Sequence, residues 1–148
     1  MSVTDSVDNP RHKILVVDDE PHIIRIIKLS LEKAGYEVIS ANSGEDGIEK
    51  VKQEHPELVI LDVMMPSMDG FAVCQHIRKL DGFGKVPILF LTARGQSDDL
   101  EYARSIGAND LMTKPFGPRQ LIDLVGHHLA RANSGGQDDS QQGGGDGH

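Results

Sequence analysis

The chain has little that would brace it covalently or anchor it to lipid. Its single cysteine, Cys74, excludes an internal disulfide framework and reads as a small core residue on a helix. No apolar run reaches the length needed to cross a bilayer. Met1–Asn9 lacks the basic-then-apolar order of a secretory signal, so the expected location is cytoplasmic. Basic charge is also short. Lys and Arg number 15 against 23 Asp and Glu, a formal net charge of −8. That balance opposes direct nucleic-acid binding and attachment to anionic membranes. The seven histidines are scattered, and none pairs with cysteine at zinc-ligand spacing.

What the chain does have is a set of short apolar runs that each end in a polar group. Leu58-Val59-Ile60-Leu61 runs into Asp62, followed by Val63-Met64-Met65-Pro66. A short run apolar on both faces reads as a buried parallel strand, and a carboxylate at its end is costly unless something compensates it. Ile14-Leu15-Val16-Val17 ends in Asp18-Asp19-Glu20, Ile88-Leu89-Phe90-Leu91 in Thr92, and Leu111-Met112-Thr113 in Lys114-Pro115. Each end alone could simply cap the next helix. All four together point to one edge of a sheet where these groups converge.

Between the runs lie helical stripes. Ile23, Ile27 and Leu31 recur at i+4 after Pro21, and Gly35 closes that helix. A strand over about residues 36–41 leads to Ser43, a helix start with an acid three residues on. That second helix carries Ile48 and Val51 and stops before Pro56. Asp69 is placed to cap a third helix bearing Val73, Ile77 and Leu80. A fourth strand is expected over 86–91 and a fourth helix over 97–106, ended by Gly107. A short strand over 109–112 follows. The fifth helix starts near Pro118 and buries Leu121, Ile122, Val125 and Leu129. Residues 1–10 are expected to be a disordered leader and 132–148, rich in Gly, Ser, Gln and Asp, a disordered tail. One domain over 11–131 remains.

Five strands alternating with five helices predict a parallel sheet with helices on both faces. The flavodoxin-like order 2-1-3-4-5 places the first and third strands side by side at the switch point, where ligands bind. These strands bear Asp18, Asp19 and Asp62. Three carboxylates in one cleft repel one another unless a cation intervenes, and oxygen ligands with open positions suit Mg²⁺. Thr92 adds a hydroxyl and Lys114 a mobile positive charge. Such a set can clamp a transferring phosphoryl group, and an ionised carboxylate can be its nucleophile. The expected chemistry is phosphoryl transfer to Asp62.

The motifs Val17-Asp18-Asp19-Glu20, Leu61-Asp62-Val63-Met64-Met65-Pro66, Met68-Asp69-Gly70, Leu91-Thr92-Ala93-Arg94 and Thr113-Lys114-Pro115-Phe116 stand in order. Over about residues 12–131 the chain resembles the receiver domain of two-component response regulators. The resemblance implies phosphorylation of Asp62 by a sensor histidine kinase or a histidine phosphotransfer protein. It implies Mg²⁺ on Asp19, Asp62 and the backbone carbonyl of Met64, with Asp18 assisting through water. Thr92 and Lys114 would contact the phosphoryl group, and Lys114-Pro115 would be a cis peptide. The output would be a change in binding to a downstream protein, or to a second copy, through the fourth helix, fifth strand and fifth helix. Turnover would be limited to the chain's own phosphorylation and dephosphorylation.

One position departs from the pattern. Receivers usually carry Tyr or Phe three residues before the Lys, where this chain has Leu111. In the family that aromatic swings inward as the Thr moves, and Leu111 cannot stack or present a hydroxyl in that way. A flavin-binding protein of this fold would need a hydroxyl- and glycine-rich loop where Asp18-Asp19-Glu20 stands. A haloacid-dehalogenase-like phosphatase would want an acid at Met64. The remaining alternative is a receiver-like adapter with weak or no phosphorylation switching. A single-domain receiver and the receiver of a longer protein are both compatible with the sequence.

Overall fold

A computed structural model describes residues 11–66, 68–93 and 97–145, without side chains at 97, 98 and 133–145. The expected leader therefore lies outside the described residues. The elements are β1 (Lys13–Val17), α1 (Pro21–Lys33), β2 (Glu37–Ala41), α2 (Gly44–Glu54), β3 (Leu58–Asp62), α3 (Gly70–Arg78), β4 (Ile88–Thr92), α4 (Ser97–Ser105), β5 (Asp110–Thr113) and α5 (Pro118–Gly145). The five strands form one parallel sheet in the order β2-β1-β3-β4-β5. This is the flavodoxin-like arrangement.

Alternation along each strand sends successive side chains to opposite faces. Leu15, Val17, Val59, Leu61, Ile88 and Phe90 meet α2, α3 and α4 on one face, through residues such as Ile48, Val73, Ile77 and Ala103. Ile14, Val16, Leu58, Ile60, Leu89 and Leu91 meet α1 and α5 on the other, through Ile27, Leu31, Leu121 and Val125. Each such buried side chain contributes about 1.5–3 kcal/mol. Every residue of β3, Asp62 included, is buried. Cys74 is a fully buried core residue on α3. No described helix is long and apolar enough to cross a membrane.

The element ends follow local chemistry. Ser43 Oγ accepts from Asp46 N–H at 3.1 Å, and Asp69 Oδ1 accepts from Ala72 N–H at 2.9 Å, so both residues cap their helices. Gly35 and Gly107 close α1 and α4 with φ of 101° and 107°, a left-handed conformation that favours glycine. β4 starts at Ile88 rather than residue 86, because Pro87 has no N–H to donate; its carbonyl still accepts from Val59 at 2.9 Å. α4 begins at Ser97.

The last helix departs most from the sequence reading. Its backbone continues to Gly145, past residue 131 and through most of the segment expected to be a disordered tail. Extending an existing helix avoids the nucleation cost, so weak helix formers can follow a strongly packed start. Among the described side chains, the apolar anchors of this helix end at Leu129. Residues 146–148 lie outside the described residues.

Candidate functional site

The sheet order determines where the polar strand ends meet. Val17 pairs with Leu61 across β1 and β3, so Asp18 emerges beside Asp62. Thr92 pairs with Thr113 across β4 and β5, and Lys114 follows immediately. Lys114 N–H donates to Thr92 O at 2.7 Å, which carries the lysine toward the cleft. The Lys114–Pro115 bond is cis.

Asp18 and Asp62 are buried, and Asp19 is exposed. Carboxylate oxygens of the three lie within 4.8 Å of one another. Lys114 Nζ sits 3.3 Å from Asp62 Oδ1, 3.4 Å from Asp18 Oδ2 and 3.6 Å from Glu20 Oε1. Asp18 Oδ1 accepts from Glu20 N–H at 2.9 Å.

Burial, and after it the neighbouring Asp18, push the Asp62 carboxyl up to about 6 against the opposing pull of Lys114 and the Met64 N–H. Burial also raises Asp18, against the Glu20 amide and Lys114. At Lys114, burial disfavours the charge, but Asp18 and Asp62 outweigh it and hold the ammonium above its ordinary value. The donor set is all oxygen and partly desolvated, and the acids repel. A hard divalent cation fits it: charge that Lys114 leaves uncompensated would be met by Mg²⁺ on Asp18, Asp19 and Asp62. Met64 is 71% exposed at the mouth of the cleft, where its backbone carbonyl belongs to the expected ligand set.

On the β5 side the cleft changes character. A cavity of about 300 Å³ is lined by Val63, Met64, Phe71, Thr92 and Leu111, among others. Leu111 is half-buried against the core, so the position where receivers carry an aromatic ring opens onto space. Phe71 packs edge-on against Phe90 and against Tyr102 of α4, with ring centres 5.0 and 4.9 Å apart. Behind Leu111, Asp110 Oδ1 accepts from Leu111 N–H at 2.9 Å, and Asp110 Oδ2 pairs with His128 Nε2 of α5 at 2.9 Å.

The structure thus brings Asp18, Asp19, Asp62 and Lys114 into one cleft, with Thr92 and Leu111 at its apolar side. Arg94 of the Leu91–Arg94 motif lies outside the described residues. Sequence reasoning missed two functional contacts. Glu20 reaches Lys114, although they are 94 positions apart, and only its place beside Asp18-Asp19 hinted at this. Gly70 lies against the backbone of Asp62: a Cβ at Gly70 would stand 2.4 Å from the Asp62 carbonyl oxygen. Gly70 N–H also donates to Val63 O at 3.0 Å, so α3 begins directly on the strand end that carries Asp62.

Comparisons with known proteins agree with this geometry. The family model described as "Response regulator receiver domain" matches residues 14–126. The chain is 45% identical over 120 residues to "Alkaline phosphatase synthesis transcriptional regulatory protein PhoP" of Bacillus subtilis, covering 81% of this chain and 49% of that protein. It is 46% identical over 127 residues to "Probable transcriptional regulator ycf27" of Pyropia yezoensis, covering 86% and 51%. The chain therefore spans about half the length of the curated relatives it matches. Among solved structures, the chemotaxis protein CheY4 of Vibrio cholerae superposes with a TM-score of 0.76 at 31% identity, covering 79% of this chain and 98% of that one. A response regulator receiver domain protein from Clostridium thermocellum gives 0.76 at 30% identity, covering 82% and 97%. The chain belongs to the response regulator receiver domain family of two-component signalling.

Proposed function

We propose that Asp62 is a phosphoacceptor, charged in a Mg²⁺-dependent step by a sensor histidine kinase or a histidine phosphotransfer protein. The observation that carries this is the placement of Lys114 Nζ between two buried carboxylates, 3.3 Å from Asp62 and 3.4 Å from Asp18. A purely structural ion pair needs one acid, whereas a transfer site needs a nucleophile, anionic metal ligands and a cation within reach of the same oxygens. Asp62 Oδ attacks the phosphorus of the donor. A P–O bond forms and the P–N bond to the donor imidazole breaks, its electron pair returning to that nitrogen, which then takes up a proton. Lys114 is placed to hold an oxygen of the arriving group, and the Thr92 hydroxyl borders the same space. Mg²⁺, when bound to the acids, would supply positive charge against the transferring oxygens. Turnover is confined to the chain's own acyl phosphate.

The output is a change in affinity for a downstream protein, or for a second copy, through the face of α4, β5 and α5. The protein acts in the cytoplasm, and this acidic region makes no direct contact with nucleic acid or membrane. The adapter reading, with weak or no phosphorylation switching, draws support from Leu111 alone.

The test is labelling with acetyl phosphate and Mg²⁺. One acid- and base-labile phosphoryl group should appear per chain, EDTA should suppress it, and Asp62→Asn should abolish it. Equal labelling of the Asn variant would sink the assignment.

A further inference from the structure

Glu20 occupies the N-cap position of α1, with extended backbone at φ −100° and ψ 112°. A residue there ordinarily spends its side chain on the first free amides of its own helix. Glu20 does not: its side chain makes no capping bond. Its main-chain carbonyl accepts from Ile23 and Ile24 N–H, and its own N–H is given to Asp18 Oδ1. The carboxylate is left for Lys114, 3.6 Å away. Lys114 thus has three acidic neighbours, two of them in the group that would bind the metal ion.

That arrangement makes Lys114 an internal cation in the carboxylate cleft. A divalent ion arriving on Asp18, Asp19 and Asp62 competes with it for the same oxygens. The lysine must loosen from Asp18 and Asp62 and stay close enough to meet a phosphoryl oxygen. Among the described residues Glu20 is the one acidic neighbour of Lys114 outside the metal-binding trio, half-exposed and held in place by its backbone bond to Asp18. We propose that Glu20 is a positioning residue, the berth that receives Lys114 when Mg²⁺ displaces it. This rests on the Mg²⁺-dependent reading of the site.

A double-mutant cycle on the full chain, read as Mg²⁺ affinity by titration calorimetry without phosphodonor, tests it. Lys114→Met removes the internal cation and should tighten Mg²⁺ binding by about tenfold or more. Glu20→Gln leaves Lys114 committed to Asp18 and Asp62, and should weaken binding by about three- to fivefold. In the Lys114→Met background the same Glu20→Gln change should leave the Kd within about 1.5-fold. Both substitutions sit at the open cleft rather than in the packed core, and circular dichroism checks the fold. If Glu20→Gln has the same effect in both backgrounds, Glu20 acts on the ion by charge alone and the berth is wrong. No effect in the parent chain overturns it equally. If neither the parent chain nor Lys114→Met binds Mg²⁺, the metal-dependent function falls together with this inference. Binding without coupling removes the inference alone.

Discussion

The two sides of Asp62 are built on opposite plans. Toward β1 the cleft is crowded with charge: Asp18, Asp19, Glu20 and Lys114 stand within a few contacts of one another. Toward β5 it is hollow and mostly apolar, with Leu111 and Phe71 beside a cavity of about 300 Å³. The charged side can bind and transfer, but its groups are held by several partners each. Among the described residues the hollow side leaves space beside Leu111 and Phe71, into which a side chain can move without displacing a described neighbour. On the proposed function, chemistry and its readout are separated across one residue.

The sharpest way to break this contrast is to remove the carboxylate between the two sides. Asp62 in the metal-free fold holds its proton up to about pH 6, against an ordinary value of 3.8. The folded chain then binds more protons than the unfolded one between these values, so stability falls as pH rises through that window. Asp62→Asn should reduce the slope, leaving the part that the raised Asp18 contributes. At pH 7 in EDTA it should also stabilise the fold by on the order of 2 kcal/mol, the shift less what Lys114 loses. Urea denaturation across pH 4–7 measures both; a less stable Asn variant at pH 7 would refute the strain assigned to the charged side.

Gly70→Ala probes the seam between the sides. The added methyl meets backbone rather than a flexible side chain, so α3 must shift from the Asp62 strand end. The expected loss is about 1–3 kcal/mol, with slower labelling of Asp62. Unchanged labelling alongside lost stability would make Gly70 purely structural.

The smallest effect is expected on the hollow side. Leu111→Tyr should fill part of the cavity and alter stability by less than about 1 kcal/mol. Labelling should persist, while the ratio of partner affinities with and without beryllofluoride should change. An identical ratio would remove position 111 from the switch and leave Thr92 and Lys114 to carry the signal.

The sheet and most of the charged side were legible in the sequence because they depend on local patterns. Leu58–Leu61 announce a strand buried on both faces, Ser43 and Asp69 announce helix starts, and acids after apolar runs announce the edge where they meet. Right-handed crossovers then leave few topologies, and the flavodoxin-like order is one of them. The remainder depends on distances between residues far apart in the chain. Nothing local to Glu20 says that its carboxylate leaves its own helix for Lys114. Gly70 reads only as the first residue of a helix capped by Asp69, and nothing local says that the Asp62 carbonyl stands where its Cβ would go. The cavity is an absence of atoms shared among β3, α3, β4 and β5, and no single segment encodes it. At the C-terminus Gly and Ser argue against helix on composition, whereas the backbone extends α5 to Gly145.

The pairing of Asp110 has a consequence for assembly. β5 is an outer strand, and an open strand border is a template on which another chain can add main chain to main chain. Here the Leu111 amide is already given to Asp110, whose second oxygen is tied to His128. The border offers one fewer donor to an incoming strand, and α5 is pinned across it. Main-chain addition of another strand at Leu111 is therefore disfavoured on this border.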